Sequence, residues 1–271
     1  MTDLVEVYDP TTNLWVTIAS LITSRTSPGS AVSNGVLYVA GGKSSSALGS
    51  MEKYDAFNNV WVPVANMKVA RSLLGMVSIG SQIYVLGGFS TTYLKSLEVY
   101  NTTNNTWSSL ANMVSPRAGP GAVAANGFVY AIGGQMTSTT RTSGVERYSP
   151  SNDSWVSMAP MLAVRFAFGV TVDSSFIYAC GGFGTTTTLQ TCEKYSFDSN
   201  AWVAINSMTM SRGYVGLTIL DGYLFAIGGV GSESSGTMST EKCLLPTGSW
   251  ALSTSLTARQ QFTVAFAPFK Q

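Results

Sequence analysis

The sequence predicts an all-β fold in which small four-stranded antiparallel sheets stack side by side around a ring. Three observations predict it. Double glycines fall at Gly41-Gly42, Gly87-Gly88, Gly133-Gly134, Gly181-Gly182 and Gly228-Gly229, at spacings of 46, 46, 48 and 47 residues. Four further marks recur on the same lattice. The glutamates are Glu6, Glu52, Glu98, Glu146, Glu193 and Glu241, and the tyrosines are Tyr8, Tyr54, Tyr100, Tyr148 and Tyr195, with Cys243 in the sixth slot. The tryptophans are Trp15, Trp61, Trp107, Trp155, Trp202 and Trp250, and the arginines are Arg25, Arg71, Arg117, Arg165, Arg212 and Arg259. Within each unit the apolar positions have a period of two, and no window keeps a helical period through the glycines.

One unit, residues 119 to 156, shows the elements. Gly121-Ala122-Val123-Ala124-Ala125 reads as strand a, and Asn126-Gly127 as a tight hairpin turn of the favoured kind. Phe128-Val129-Tyr130-Ala131-Ile132 reads as strand b, ended by the double glycine. A Ser/Thr-rich loop leads to strand c, Gly144-Val145-Glu146-Arg147-Tyr148. Pro150-Ser151-Asn152-Asp153 turns the chain into strand d, which opens at Ser154-Trp155-Val156. Such a sheet cannot bury both faces alone, whereas radial stacking lets each sheet cover its neighbour. The repeat Trp and Tyr then pack between sheets, and the glycines occupy close-approach or unusual-φ positions. The whole chain, 1–271, reads as one domain with units at about 21–66, 67–112, 113–160, 161–207 and 208–255.

The succession of a double glycine, a Glu-x-Tyr and a tryptophan resembles the kelch repeat, and the resemblance covers the whole chain. It implies a six-bladed kelch β-propeller. The terminal, closing blade is expected to be incomplete. It would combine residues 1–20, read as strands c and d, with 256–271, where Gln261-Phe262-Thr263-Val264-Ala265-Phe266 reads as strand a. It has no strand b with its double glycine. We therefore expect a fragment of a longer protein, or a relative that lacks an N-terminal part.

Composition narrows the function. The chain has no histidine, a formal net charge of +1, and 11% charged residues against about 25% in ordinary domains. Ser-His-Asp and Cys-His catalysis, His-ligated metals and His-based pH switches are thereby excluded. A nucleic-acid binder would need excess Lys and Arg. No apolar run is long enough for a transmembrane helix, and the first residues lack the pattern of a secretory leader. Three cysteines are not a disulfide framework, so a cytoplasmic location is expected. Cys180 and Cys192 oppose each other across one hairpin, and we expect buried thiols there rather than a disulfide. Cofactors and metals have no visible site, because the glycine pairs form neither a GxGxxG nor a Walker loop.

Alternating strands bring the b–c and d–a loops to one face. The b–c loops vary in length and sequence, as binding loops on a rigid scaffold do. The kelch resemblance implies ligand contacts from the residue after each double glycine and from the residues at and after each repeat Arg. The candidates are Lys43, Phe89, Gln135, Phe183 and Val230, with Ser72, Arg117, Arg165, Phe166, Arg212, Tyr214, Arg259 and Gln260. Tyr93 and Arg141 lie in the b–c loops and join them. Two readings of the repeat arginines stay open: internal pairing with the repeat glutamates, or a positive ring that receives carboxylate or phosphate.

The expected function is a non-catalytic protein-interaction module. Its ligand would be a peptide or loop with a hydrophobic anchor and a carboxylate. The resemblance further implies a substrate receptor of a cullin-RING ubiquitin ligase; the alternatives are a cytoskeletal or other scaffold, and a sugar-isomerising enzyme of the kelch-like type. On this reading, Arg165→Ala together with Phe183→Ala abolishes binding and leaves the fold intact.

Overall fold

The computed structural model describes residues 2–9, 11–12, 14–231, 239–245 and 248–253. It begins with a two-stranded sheet, β1 (Val5–Asp9) and β2 (Leu14–Ile18). Five four-stranded antiparallel sheets follow, and in each of them spatial order equals chain order. Blade 1 is β3 (Gly29–Ser33), β4 (Val36–Ala40), β5 (Met51–Asp55) and β6 (Val60–Val64). Blade 2 is β7 (Gly75–Ile79), β8 (Gln82–Leu86), β9 (Leu97–Asn101) and β10 (Thr106–Leu110). Blade 3 is β11 (Gly121–Ala125), β12 (Phe128–Ile132), β13 (Val145–Ser149) and β14 (Ser154–Met158). Blade 4 is β15 (Gly169–Val172), β16 (Phe176–Cys180), β17 (Cys192–Ser196) and β18 (Ala201–Ile205). Blade 5 is β19 (Gly216–Leu220), β20 (Tyr223–Ile227), β21 (Thr240–Leu244) and β22 (Trp250–Leu252).

The fold is an all-β propeller with the first strands of successive blades, β3, β7, β11, β15 and β19, side by side at the centre. These strands approach closely: a Cβ added at Gly75 would lie 2.7 Å from Ala122 Cβ. The six-blade expectation is corrected here. Among the described residues five blades are four-stranded and the remaining sheet has two strands. The sequence holds six Trp and Arg marks but five double glycines, so five units carry a strand b. The strand expected at 261–266 lies outside the described residues.

Tryptophan, tyrosine and the αL residue of the c–d turn form one inter-blade latch. In blade 2 the Tyr100 hydroxyl donates to Asn105 Oδ1 (2.8 Å), which also accepts from Ala65 N–H (2.8 Å) of the incoming connection. Trp107 Nε1 donates to the carbonyl of the same Ala65 (2.8 Å), and its ring lies 5.2 Å from Tyr100. Asn105 has φ +58, a conformation Asn tolerates well. Blades 1, 3 and 4 repeat this latch through Tyr54/Asn59/Trp61, Tyr148/Asp153/Trp155 and Tyr195/Asn200/Trp202. Blade 5 has Cys243 and Gly248 in place of Tyr and Asn, and Asn206 Nδ2 bridges to the Gly248 carbonyl instead (3.0 Å).

Cys180 and Cys192 face each other across β16 and β17 and are joined by a disulfide, which corrects the expectation of buried thiols. The register explains it: the two residues are direct partners, both in the core between blades 4 and 5. Cys243 is a buried free thiol in the same core, and burial pushes its pKa up.

Candidate functional site

The face carrying the b–c and d–a loops is built on a second repeating latch. Arg71 shows its parts. Its Nη1 donates to Gly87 O (2.7 Å) and its Nη2 to Ser96 Oγ (3.1 Å), while its guanidinium pairs with Glu98 Oε1. The other Glu98 oxygen accepts from Lys68 N–H (2.7 Å) in the d–a loop. Arg25–Glu52, Arg117–Glu146, Arg165–Glu193 and Arg212–Glu241 do the same in the other blades. Burial pulls the Arg25, Arg71 and Arg165 guanidinium groups below their ordinary pKa, and the facing carboxylates partly restore it.

The double glycine is required where one blade touches the next. Gly88, at φ +98, donates its N–H to the Arg117 carbonyl of blade 3 (2.7 Å). A Cβ on Gly87 would lie 2.3 Å from that same oxygen. A third ring runs two residues beyond each Arg. Leu73 N–H donates to Ser27 O, Gly119 to Leu73, Ala167 to Gly119 and Tyr214 to Ala167, all within 3.0 Å. Every residue of this ring is in the left-handed region, including Leu73 (φ +54) and Tyr214 (φ +52), a costly conformation for bulky side chains. The ring surrounds a cavity of about 170 Å³ lined by Ser27, Leu73, Gly119, Ala167 and Tyr214 with the first residues of the inner strands.

This geometry resolves the two readings of the repeat arginines. Arg117, Arg165 and Arg212 are corrected from ligand-facing to internal: they are 3%, 1% and 0% exposed, with their donors spent on carbonyls and glutamate. Ser72 and Val230 are also buried, in backbone bridges Ser72↔Phe89 and Gly213↔Val230. Arg259 and Gln260 lie outside the described residues.

Lys43, Phe89, Tyr93, Gln135, Arg141, Phe183 and Tyr214 do come to the surface, whereas Phe166 is buried, and the aromatic residues form two groups. In blade 2, Phe89 and Tyr93 bridge and meet edge to face at 5.1 Å. Between blades 4 and 5, Phe166, Phe183 and Tyr214 form a three-ring cluster with centroids 5.4 to 6.0 Å apart. Phe183 and Tyr214 are partly exposed, while Phe166 is 8% exposed and forms the floor. Arg141 of the blade 3 loop sits 5.7 Å over the Phe166 ring, in the ordinary range for a cation over an aromatic face. Burial raises the Tyr214 pKa, and the Arg141 charge opposes that shift. Gln135 is partly exposed beside this group and Lys43 is exposed in blade 1.

Sequence reasoning missed why blade 5 has glycine after its repeat Arg. Phe183 lies over Gly213, where an added Cβ would be 2.3 Å from the ring. The pairing of an aromatic after the double glycine with a glycine after the next Arg was the available signal.

Comparison with protein families finds the Kelch motif at residues 24–68, 70–114, 116–162 and 165–209, about two thirds of the chain. A search of curated proteins returns no match. Among solved structures, one described as "Structure of YjhT" superposes with a TM-score of 0.79 at 15% identity, covering 89% of this chain and 88% of that one.

Proposed function

The chain belongs to the kelch-repeat family, and on that premise we propose that it is a non-catalytic protein-interaction module taking a short peptide or loop on the b–c/d–a face. The observation that carries this reading is the three-ring cluster of Phe166, Phe183 and Tyr214 with Arg141 above it. Aromatic rings and Arg are the residue types that dominate binding energy at protein interfaces. They stand here on a backbone fixed by three inter-locking hydrogen-bond rings, so little ordering entropy is lost on binding. The ligand we infer has a hydrophobic anchor for the cluster and a carboxylate for Arg141. A non-catalytic reading is supported by the repeat glutamates Glu52, Glu98, Glu146, Glu193 and Glu241, each held by Arg and by loop N–H groups rather than free for proton transfer.

Service as a ubiquitin-ligase substrate receptor would be a finer form of the same proposal, but it needs a reducing compartment, which the Cys180–Cys192 disulfide disfavours. A cytoplasmic location is not carried forward: the Cys180–Cys192 disulfide favours an oxidising compartment. The test is selection of peptides from a random display library on the purified propeller, followed by affinities of a selected peptide. We expect Arg141→Ala with Phe183→Ala to weaken binding at least tenfold without a change in unfolding midpoint. Failure to enrich any peptide, or equal affinity for the double variant, overturns the proposal.

A further inference from the structure

A second feature lies near the opposite face, in the wedge between blades 3 and 4. Three successive wedges contain a tyrosine pair: Tyr38–Tyr100, Tyr84–Tyr148 and Tyr130–Tyr195, at 6.0, 6.1 and 6.4 Å. The third wedge departs from its siblings. Strand β13 contributes Arg147, whose register partner on β12 is Tyr130. Its guanidinium carbon lies 4.3 Å from the centre of the Phe128 ring. From blade 4, Phe197 closes the wedge, 5.9 Å from Tyr130 and 5.8 Å from Tyr195. The slots matching Arg147, Phe128 and Phe197 hold Val99, Gln82 and Pro150 in the wedge between blades 2 and 3. Between blades 1 and 2 they hold Lys53, Val36 and Thr102.

Arg147 has no carboxylate partner among the described residues: its guanidinium meets the Phe128 ring and the Tyr130 hydroxyl instead. Its Nε is buried without an acceptor. The groups placed against it are neutral: the Phe128 ring, the Tyr130 hydroxyl, which accepts a hydrogen bond from it, and the nearby Tyr195 hydroxyl. The guanidinium is close enough to oppose the burial-driven rise in both tyrosine pKa values. A guanidinium carries five donors in a planar fork that matches a carboxylate or phosphate. A buried donor without a partner is costly to leave so.

We propose that this wedge, Arg147 between Phe128, Tyr130, Tyr195 and Phe197, is a binding site for an oxyanion carried on an aromatic or apolar group. The anion takes the guanidinium fork, and the apolar part lies against the rings. The site is distinct from the loop face, because Phe128 directly follows the a–b turn at Asn126-Gly127. Lys194 over Phe176 (4.2 Å) and Lys242 over Tyr223 (5.0 Å) occupy the same strand slot in blades 4 and 5. There the positions matching Tyr195 and Phe197 are Cys243 and Leu245, so the next wedge lacks the second aromatic wall.

The experiment is calorimetric titration with phenyl phosphate and, separately, inorganic phosphate at fixed ionic strength. The proteins are wild type, Arg147→Gln, Phe197→Ala and Lys194→Gln, each checked by circular dichroism. Wild type should bind phenyl phosphate saturably with one site, at least tenfold more tightly than inorganic phosphate. Arg147→Gln should lose binding at least tenfold, Phe197→Ala several-fold, and Lys194→Gln should match wild type. Absence of saturable binding to wild type overturns the site, as does unchanged affinity in Arg147→Gln. Should Arg147→Gln fail to fold, unchanged affinity in Phe197→Ala does the same. Equal affinities for the two phosphates overturn the role of the aromatic walls.

Discussion

Arg165→Ala separates a structural arginine from a ligand-facing one. The Arg165 guanidinium donates to Glu193 Oε1 (2.8 Å), Gly181 O (2.7 Å), Thr191 O (2.9 Å) and Thr191 Oγ1 (2.9 Å), and the residue is 1% exposed. Truncation leaves the Glu193 carboxylate buried with one donor, Leu162 N–H, and strands the Gly181 carbonyl at the root of the b–c loop, while Thr191 O keeps the Gly181 N–H. Removing one partner of a buried ion pair costs about 3–5 kcal/mol. That is a large part of the roughly 5–15 kcal/mol that holds an ordinary domain together. Urea unfolding of Arg165→Ala should therefore show a clear fall in midpoint, and Glu193→Gln a fall of similar order. The pair replaced together, Arg165→Met with Glu193→Leu, should cost less than the sum of the two single changes, since no charge is left unpaired. A midpoint for Arg165→Ala within about 0.5 kcal/mol of wild type, with peptide binding lost, would refute the latch. It would return Arg165 to the ligand surface.

Trp155→Ala removes a ring 5.2 Å from Tyr148 and the hydrogen bond to Ala111 O; we expect a loss of about 3 kcal/mol by chemical denaturation. Alkali should unfold the protein cooperatively. Tyr54, Tyr100, Tyr148 and Tyr195 have pKa values raised by burial above the ordinary 10, so the folded state keeps protons that the unfolded state releases. Stability is then full below about pH 10 and falls above it, and tyrosinate absorbance should rise in one step with unfolding rather than gradually before it. Cys180→Ala with Cys192→Ala opens the clamp around the loop that holds Phe183; for a closed loop of this size the loss is about 3 kcal/mol. A variant as stable as the oxidised wild type would show that the bond does not form.

The repeat lattice made the blades legible because each mark has one structural use. The hairpin read at Asn126-Gly127 has φ +53 and +79, and strands b and c of that unit were bounded to within one residue. The arginines were legible as a set but not in their role. A residue that recurs in every blade looks equally like a binding ring and like a scaffold, and only burial separates the two. The disulfide failed for a related reason: opposition across a hairpin was visible, but oxidation depends on the register bringing Cys180 and Cys192 face to face. The left-handed ring at Ser27, Leu73, Gly119, Ala167 and Tyr214 had no compositional signal, since only one of the five is glycine.

The latches also explain how a pseudo-symmetric ring acquires an asymmetric face. Arg, Glu and the double glycine fix the loops through side chains and backbone that do not include the residue after the Arg. That residue uses its N–H and carbonyl in a bridge to the next loop, as in Ser72↔Phe89 and Phe166↔Phe183, whatever its side chain. It is Thr26, Ser72, Ala118, Phe166 and Gly213 in the five blades, and its bridge partners are Lys43, Phe89, Gln135, Phe183 and Val230. Two side chains per blade can thus change from blade to blade at little cost to the fold. Where both are aromatic, in blade 4, and blade 5 supplies Gly213 beneath Phe183 and Tyr214 beside it, a cluster forms that no other blade repeats among the described residues. The same logic singles out Arg147: strand β13 keeps its Glu and Tyr for the two latches, and the residue between them is free to differ.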